Sequence, residues 1–155
     1  MVDGSAGAEA GKGSQPALIV SACLLGVRCN HQGGASPTSA VVALGATNRL
    51  IPVCPETAGG LPTPRPAAER QPDGTVRTAD GADVTEWYRR GAEHTVRLAL
   101  ATGAALAVLK ARSPSCGCEE IYDGTFRRQL VKGDGVTAEA LRAAGIDVVS
   151  EESLA

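Results

Sequence analysis

Short apolar runs recur along the chain and are separated by longer segments of mixed polarity. An apolar run of about four to eight residues with turn residues at its ends is typical of a buried strand. Such runs predict strands at residues 17–23, 50–54, 105–109 and 146–149. An approximate apolar face predicts a long helix over residues 84–102. Shorter helices are predicted over residues 37–46 and from a cap at Thr137 through residue 144.

Capping and turn residues mark the ends of these predicted elements. Ser36 followed by Pro37 is typical of a helix start, and Asp83 with Glu86 three residues later resembles a capping box. Gly103 predicts the end of the long helix. Residues 55–66 carry four prolines and predict a loop. Asp-Gly pairs on either side of residues 75–78 predict a small β-ribbon, and residues 122–135 predict another.

The alternation of strands with helices predicts a mostly parallel sheet with helices on both of its faces. The sequence therefore indicates a Rossmann-like α/β fold with small β-ribbon excursions, in a single domain over residues 17–155. Residues 1–16 are rich in Gly and Ala, and we expect them to form a flexible N-terminal tail.

Charge and composition argue against two large classes of partner. The net charge is −2 and no basic block is present, so we expect no large nucleic-acid footprint, and tRNA is not an expected substrate. No apolar stretch reaches about 18 residues, which predicts no membrane span. The first 15 residues lack the apolar core of a signal peptide. We therefore expect a cytoplasmic protein with reduced thiols; nothing in the sequence favours a monomer over a homodimer.

Three of the five cysteines occupy similar places in this scheme. Cys23 ends the first predicted strand, Cys54 ends the second, and Cys116 lies in the loop after the third. Ligands of open α/β sheets bind outside the carboxyl ends of the strands. The three thiols are therefore predicted to meet at one edge of the sheet, where they would form an incomplete ligand shell for a metal.

Several chemistries fit three thiols at one edge. A [4Fe–4S] cluster that is held by three cysteines leaves one iron open to act as a Lewis acid. A structural zinc needs a fourth ligand from Cys29, His31 or Cys118, and the protein would then be a non-catalytic zinc or iron–sulfur binding or sensor module. A thiol enzyme with Cys54 as its nucleophile is a third alternative, and buried cysteines without any chemistry are the fourth.

Polar residues beside these cysteines are candidates for proton transfer and substrate contact. Glu56 follows the second cysteine by two residues, and its carboxylate can either move a proton or cap a loop amide. Ser113 and Ser115 precede the third cysteine and can either bond a substrate or shape the turn. Basic side chains near the same edge can balance thiolate charge or bind a phosphate: Arg28, Arg65, Lys110 and Arg112.

Five motifs at these positions resemble a bacterial family that is represented by thiouracil desulfidases. They follow one another in the family's order, and the resemblance covers about residues 17–152. The motifs are SACLLGV at 21–27, VCPE at 53–56, GGLPTPR at 59–65, KARSPSCG at 110–117 and IYDGTF at 121–126.

This resemblance implies a non-redox desulfidase that depends on a [4Fe–4S] cluster, with Cys23, Cys54 and Cys116 as the cluster ligands. It implies that the open iron binds the sulfur of a thiolated pyrimidine, which is 2-thiouracil, 4-thiouracil or a 4-thiouridine nucleotide. The products are then the oxo-pyrimidine and hydrogen sulfide. By motif position, Glu56 is the acid/base, and a serine of the fourth motif contacts the substrate.

Overall fold

The apolar runs fold into a central parallel sheet in the computed structural model, which describes residues 15–154. The predicted tail, residues 1–16, falls almost entirely outside the described residues. The strands are β1 (Ala17–Ser21), β2 (Arg49–Val53), β3 (Ala68–Arg70), β4 (Val76–Thr78), β5 (Leu106–Leu109), β6 (Glu120–Tyr122), β7 (Leu130–Lys132) and β8 (Asp147–Ser150). The α-helices are α1 (Ser39–Ala43), α2 (Pro55–Ala58), α3 (Thr85–Thr102) and α4 (Val136–Ala143). None of the helices in the described residues has the length and apolarity to cross a membrane.

The sheet has the strand order β2-β1-β5-β8, and all of its neighbouring pairs are parallel. The chain runs outward from β1 to β2, returns to β5 on the other side of β1, and continues to β8. The direction of travel therefore reverses beside β1, and such a switch point opens a crevice at the carboxyl ends of the strands. The predicted α/β fold with a mostly parallel sheet is confirmed.

Side chains of β1 alternate between two apolar cores because successive strand residues point to opposite faces of a sheet. On one face, Ile19 belongs to the same core as Ala99 of α3 and Leu141 of α4. On the other face, Val20 packs in a core that includes Val41 of α1. Helices therefore cover both faces of the sheet, as predicted.

Two antiparallel ribbons extend from the sheet domain. Strand β3 pairs with β4, and β6 pairs with β7. Both ribbons lie where the turn residues predict them, although no apolar pattern marks β3 in the sequence. Arg70 at the end of β3 joins the first ribbon to α4, because it forms an ion pair of 2.6 Å with Glu139 and donates a bond of 2.8 Å to the carbonyl of Asp134.

The first two elements differ from the prediction at their ends. Strand β1 ends at Ser21, and residues 22–25 form a 3-10 turn that contains Cys23. The backbone N–H of Ser36 and that of Thr38 donate to carbonyls of this turn. Because these bonds keep the segment extended, α1 begins at Ser39 and not at the predicted Pro37.

Three further local predictions are wrong. Residues 55–58 form the short helix α2 where a loop was predicted, because Pro55 occupies the first helical position, which suits proline. Asp83 accepts bonds from the N–H and hydroxyl of Thr85, while Glu86 pairs with the arginines at 89 and 90, so there is no capping box. Thr137 does not cap α4 because that helix begins one residue earlier, after Gly135.

Candidate active site

A cavity of about 620 Å³ lies at the carboxyl ends of β1, β2 and β5, where the sheet has its switch point. Cys23, Cys54 and Cys116 all line it, so the structure brings together the three thiols that the sequence places at one edge. Glu56 and Ser113 line the same cavity. All five cysteines are free thiols.

The 3-10 turn after β1 fixes the backbone of Cys23 at the cavity. The carbonyl of Cys23 accepts bonds from the N–H groups of Gly26, at 3.2 Å, and Ser36, at 2.9 Å. Only 9% of the residue is exposed. The turn therefore places a nearly buried thiol just beyond the end of the strand.

Cys54 lies between β2 and α2, and its thiol is close to a second cysteine. The sulfur of Cys54 is 3.6 Å from the carbonyl oxygen of Cys29. The same carbonyl accepts a bond of 2.9 Å from Arg65, whose Nη2 lies 3.9 Å from the Cys54 sulfur. Cys29 is buried and also lines the cavity, so four thiols share this wall.

A bonded turn before Cys116 sets the direction of that thiol. The Ser113 hydroxyl oxygen accepts bonds of 3.0 Å from the N–H groups of both Ser115 and Cys116. The N–H of Gly117 donates to the Ser113 carbonyl at 2.8 Å. Because the Ser113 oxygen accepts two bonds, its own proton remains free to donate into the cavity.

Ser115 faces away from the cavity, although the sequence places it beside Ser113 as a candidate. It is fully buried, and its hydroxyl shares a hydrogen bond of 2.8 Å with the hydroxyl of Thr137 on α4. A Cβ atom at Gly135 would lie 2.5 Å from the Ser115 carbonyl oxygen, so only glycine allows this close approach. Ser115 therefore anchors the loop to α4.

Glu56 is held at both of its carboxylate oxygens. Arg65 donates to Oε1 at 2.6 Å, and the hydroxyl of Tyr88 on α3 donates to Oε2 at 2.6 Å. The Arg65 side chain is 2% exposed and that of Glu56 is 16% exposed. The motifs do not identify Tyr88 as a site residue; a phenol on the apolar face of a helix was the available signal, because a buried hydroxyl needs a partner.

A very close contact between α2 and α3 brings Glu56 and Tyr88 together. A Cβ atom at Gly91 of α3 would lie 1.8 Å from the carbonyl oxygen of Pro55. No side chain fits there, so glycine at this position lets the two helices touch through their backbones. The first turn of α2 is thereby seated against α3, one helical turn from the Tyr88 phenol.

Burial raises the pKa values of three thiols that line the cavity. It raises the pKa of Cys23, with partial relief from the positive charge of Lys110. Burial likewise raises the pKa of Cys116, with partial relief from a hydrogen bond to Ser21. Burial and the neighbouring Cys54 thiol raise the pKa of Cys29 to about 12.

The other candidates of the sequence analysis occupy varied positions. Lys110 and Arg112 line the cavity, but each forms an ion pair with a glutamate side chain. Lys110 pairs with Glu151 at 3.2 Å, and Arg112 pairs with Glu152 at 2.6 Å. His31 also lines the cavity. Cys118 lies elsewhere, with its sulfur 2.8 Å from the guanidinium of Arg142.

The thiols at the cavity fit a multi-iron cluster by their chemistry. Within residues 15–154, no three His, Cys, Asp or Glu side chains are grouped closely enough to share one metal ion. A zinc ion requires sulfurs that are each about 2.3 Å from one centre. The cysteines of a [4Fe–4S] cluster instead surround a larger body, and the thiolate is the ligand that such clusters take. Three thiols on the wall of one cavity provide that donor set.

A parallel α/β sheet with its reactive side chains gathered at the carboxyl edge places this protein among the enzymes of that fold class. Sequence comparison then gives the particular group. The family model of the 2-thiouracil desulfurases matches residues 18–153, and the chain belongs to this family. The family and the class of enzyme, a thiouracil desulfurase, are confirmed as the sequence motifs predicted them.

Two relatives cover nearly the whole chain. A protein of Bacillus subtilis (strain 168) that is described as the uncharacterized protein YbbK is 39% identical over 146 residues, which are 88% of this chain and 97% of the relative. A solved structure of the [4Fe–4S]-dependent thiouracil desulfidase TudS is 47% identical. The match covers 90% of this chain and 93% of the desulfidase chain, with a TM-score of 0.85.

Proposed function

We propose that this protein is a [4Fe–4S]-dependent desulfidase that converts a thiolated pyrimidine and water into the oxo-pyrimidine and hydrogen sulfide. The observation that carries the proposal is the meeting of Cys23, Cys54 and Cys116 in the cavity that also holds Glu56. Family membership and the likeness to a cluster-dependent desulfidase support it. Both 2-thio and 4-thio pyrimidines present the required thiocarbonyl group.

In this proposal Cys23, Cys54 and Cys116 hold the cluster as thiolates. When bound, the cluster supplies an open iron that acts as a soft Lewis acid toward the thiocarbonyl sulfur, without a net change of oxidation state. The protein must release the protons of the three thiols on loading. Lys110, which lies near enough to lower the pKa of Cys23, compensates part of the negative charge that results.

Glu56 moves the proton in the proposed reaction. Water must lose both of its protons to become the new carbonyl oxygen, and the departing sulfur must gain two to leave as hydrogen sulfide. Arg65 and Tyr88 hold the Glu56 carboxylate in one orientation toward the cavity, which removes the entropic cost of aligning it. Ser113 is the serine with a free proton at the cavity, so we assign substrate contact to Ser113 and a positioning role to Ser115.

A cytoplasmic location fits the proposed site. Free thiols persist in a reducing compartment, and the chain has five of them. The substrate that we propose is a small molecule, and a cavity of about 620 Å³ has room for a pyrimidine and a cluster.

The test begins with protein that is purified anaerobically and reconstituted with iron and sulfide. We expect about four irons per chain, broad absorbance from the thiolate-bound cluster, and sulfide release from 2-thiouracil without added reductant. Cys23→Ser, Cys54→Ser and Cys116→Ser should each lose iron and activity. Cys118→Ser is the matched control, because that thiol lies away from the cavity and should change neither. A zinc-loaded or metal-free protein would contradict the proposal.

Cys29 favours the second candidate, a non-catalytic binding or sensor module. Its buried thiol lies beside Cys54 and could complete a closed four-cysteine site. Cys29→Ser separates the two candidates. A desulfidase with an open iron should keep four irons and its sulfide release in this variant, whereas a closed module should lose its metal.

A further inference from the structure

The aromatic side chains of this protein are concentrated at the cavity. The chain contains one Phe, one Trp and two Tyr. Three of these four, Tyr88, Tyr122 and Phe126, line the single cavity described above, whereas Trp87 is 39% exposed at the surface. In a chain so poor in aromatic residues, this distribution marks the cavity as a site for a flat ring.

Phe126 is the aromatic residue whose ring carries no polar group. The phenol of Tyr88 is buried and already donates to Glu56. Tyr122 belongs to β6, and its backbone pairs with Leu130 of β7. Phe126 instead belongs to the loop between these strands, residues 123–129, and is half-buried. Its ring lies in the cavity lining and, unlike the two phenols, has no group that can form a conventional hydrogen bond.

The backbone of this loop is strained at the residues that face the cavity. Phe126 has a φ of 59° and Arg128 a φ of 58°, both in the left-handed region that non-glycine residues rarely adopt. Both line the cavity. Strain of this kind persists only where surrounding contacts enforce it, and it is concentrated at functional sites.

Glu69 of β3 enforces this conformation from the neighbouring ribbon. Its Oε1 accepts bonds of 3.0 Å from the N–H of Gly124 and from the N–H of Phe126. Gln71 adds a bond of 3.2 Å to the carbonyl of Gly124. Inside the loop, Asp123 accepts bonds from the N–H and the hydroxyl of Thr125. One carboxylate oxygen of the first ribbon thus fixes the backbone from which the Phe126 ring projects.

We propose that Phe126 is the stacking platform for the pyrimidine ring of the substrate and that Glu69 is the positioning residue that holds it. The inference deepens the proposed function, on which it rests for the identity of the ring. Stacking on an aromatic face depends on the flat ring and not on its sulfur, so the oxo-pyrimidine should be held in the same way as the thio-pyrimidine.

Holoenzyme variants at Phe126 test the platform. Phe126→Leu keeps apolar volume but removes the flat face, and Phe126→Tyr keeps the face. We expect Phe126→Leu to weaken the binding of uracil, measured by titration calorimetry, by about tenfold, the size of effect seen when stacking on a base is lost. KM for 2-thiouracil should rise by a similar factor while kcat and iron content stay close to wild type. Phe126→Tyr should remain within about twofold of wild type.

Leu130→Ala is the matched control on the same ribbon, because Leu130 is 41% exposed and lies outside the cavity lining. It should bind uracil like wild type. Equal binding of uracil by wild type and Phe126→Leu would overturn the inference, as would wild-type holoenzyme that binds neither uracil nor 2-thiouracil. If Phe126→Leu weakens uracil binding as expected but neither wild type nor any variant releases sulfide, the inference about Phe126 stands and the proposed function fails.

Variants at Glu69 test the positioning role. Glu69→Ala should raise KM as Phe126→Leu does, and Glu69→Gln, which retains an acceptor oxygen, should recover most of the loss. If Glu69 acts through Phe126, the double variant Glu69→Ala/Phe126→Leu should be no worse than Phe126→Leu alone. Additive losses in the double variant, or a fall in iron content with Glu69→Ala alone, would overturn the assignment of Glu69.

Discussion

At the scale of the residue, the Glu56 carboxylate is held at both of its oxygens. Its two oxygens each accept one short bond, from Arg65 and from Tyr88. Arg65 is itself held by the carbonyls of Cys29 and Pro62, which leaves only its Nε without a partner. The orientation of Glu56 is therefore determined by residues from three separate segments of the chain.

Replacing Glu56 should remove proton transfer and leave the cluster in place. We expect Glu56→Gln holoenzyme to lose about 10²–10⁴-fold in kcat, the contribution typical of a positioned acid or base. The amide retains an oxygen that can accept from Arg65 or Tyr88, so folding should be preserved. Sulfide release and iron content measured on the same sample are the readout; an unchanged kcat would show that Glu56 moves no proton.

The buried phenol of Tyr88 should make stability fall at alkaline pH. Burial has the largest effect on the pKa of Tyr88 and raises it well above its ordinary value. The negative charge of Glu56 raises this pKa further, and the positive charge of Arg65 lowers it in part. Below about pH 10 both folded and unfolded chains hold the proton, so the stabilising contribution is complete. Above that pH the unfolded chain releases it first, and the free energy of unfolding declines by up to about 1.4 kcal/mol per pH unit.

Urea denaturation of wild type and Tyr88→Phe at pH 9 and pH 11 checks this slope. At pH 9 the variant should be less stable by about 1.5–3 kcal/mol, because it lacks a hydrogen bond to a charged group. The difference in the free energy of unfolding between the two proteins should be smaller at pH 11. Only wild type loses stability through its tyrosine there, since phenylalanine has no proton to lose. Parallel decline of the two proteins would show that Tyr88 titrates normally.

At the scale of the element, the contact between α2 and α3 governs where Glu56 lies. Helix α2 has only four residues and would not be stable alone. Contact with α3 stabilises it: at Gly91 the two backbones meet without intervening side chains. The 18-residue α3 thus acts as the rigid support for the Glu56 side chain, which lies on a much shorter element.

A methyl group at position 91 should disrupt this support. Gly91→Ala would place its Cβ 1.8 Å from the Pro55 carbonyl oxygen. We expect a loss of stability of about 1–3 kcal/mol, despite the better helix propensity of alanine, together with weaker sulfide release. Leu100→Ala on the exposed side of the same helix is the control and should stay within about 0.5 kcal/mol of wild type in urea denaturation.

The elements show what the sequence could and could not predict. The four sheet strands were predictable because each contains a short apolar run between turn or loop residues. Helix α2 was not, because its four residues lie among prolines that also signal a loop, and the strand β3 has no apolar pattern. Among the site residues, neighbouring Ser113 and Ser115 cannot be told apart in sequence; their roles diverge only because the N-terminus of α4 docks on Ser115. The Tyr88–Glu56 bond likewise depends on tertiary packing.

At the scale of the whole molecule, the proposed cluster would join three distant stretches of chain. Cys23, Cys54 and Cys116 follow three strands that are adjacent in the sheet but far apart in sequence. A ligand that binds only the folded chain stabilises it, and a ligand that bridges distant segments also restricts the unfolded chain. Loading of the cluster and folding of the sheet are therefore coupled.

Cluster loading should raise the melting temperature. We expect reconstituted wild type to melt at least about 5 °C above the metal-free protein under anaerobic conditions, which corresponds to about 2 kcal/mol for a domain of this size. Cys118→Ser should show the same rise, whereas Cys23→Ser should show none. Identical melting curves with and without iron, followed by circular dichroism, would contradict the coupling.

Pro52 has a consequence for how the protein behaves in a crowded solution. It lies in β2, an outermost strand of the sheet, with its side chain exposed. Strands at such positions can recruit extended segments of other chains and seed fibrous aggregates. Proline lacks the N–H that an incoming strand would need at that point, so Pro52 offers it no donor. The proline in β2 thereby disfavours self-association of the folded protein through this edge of the sheet.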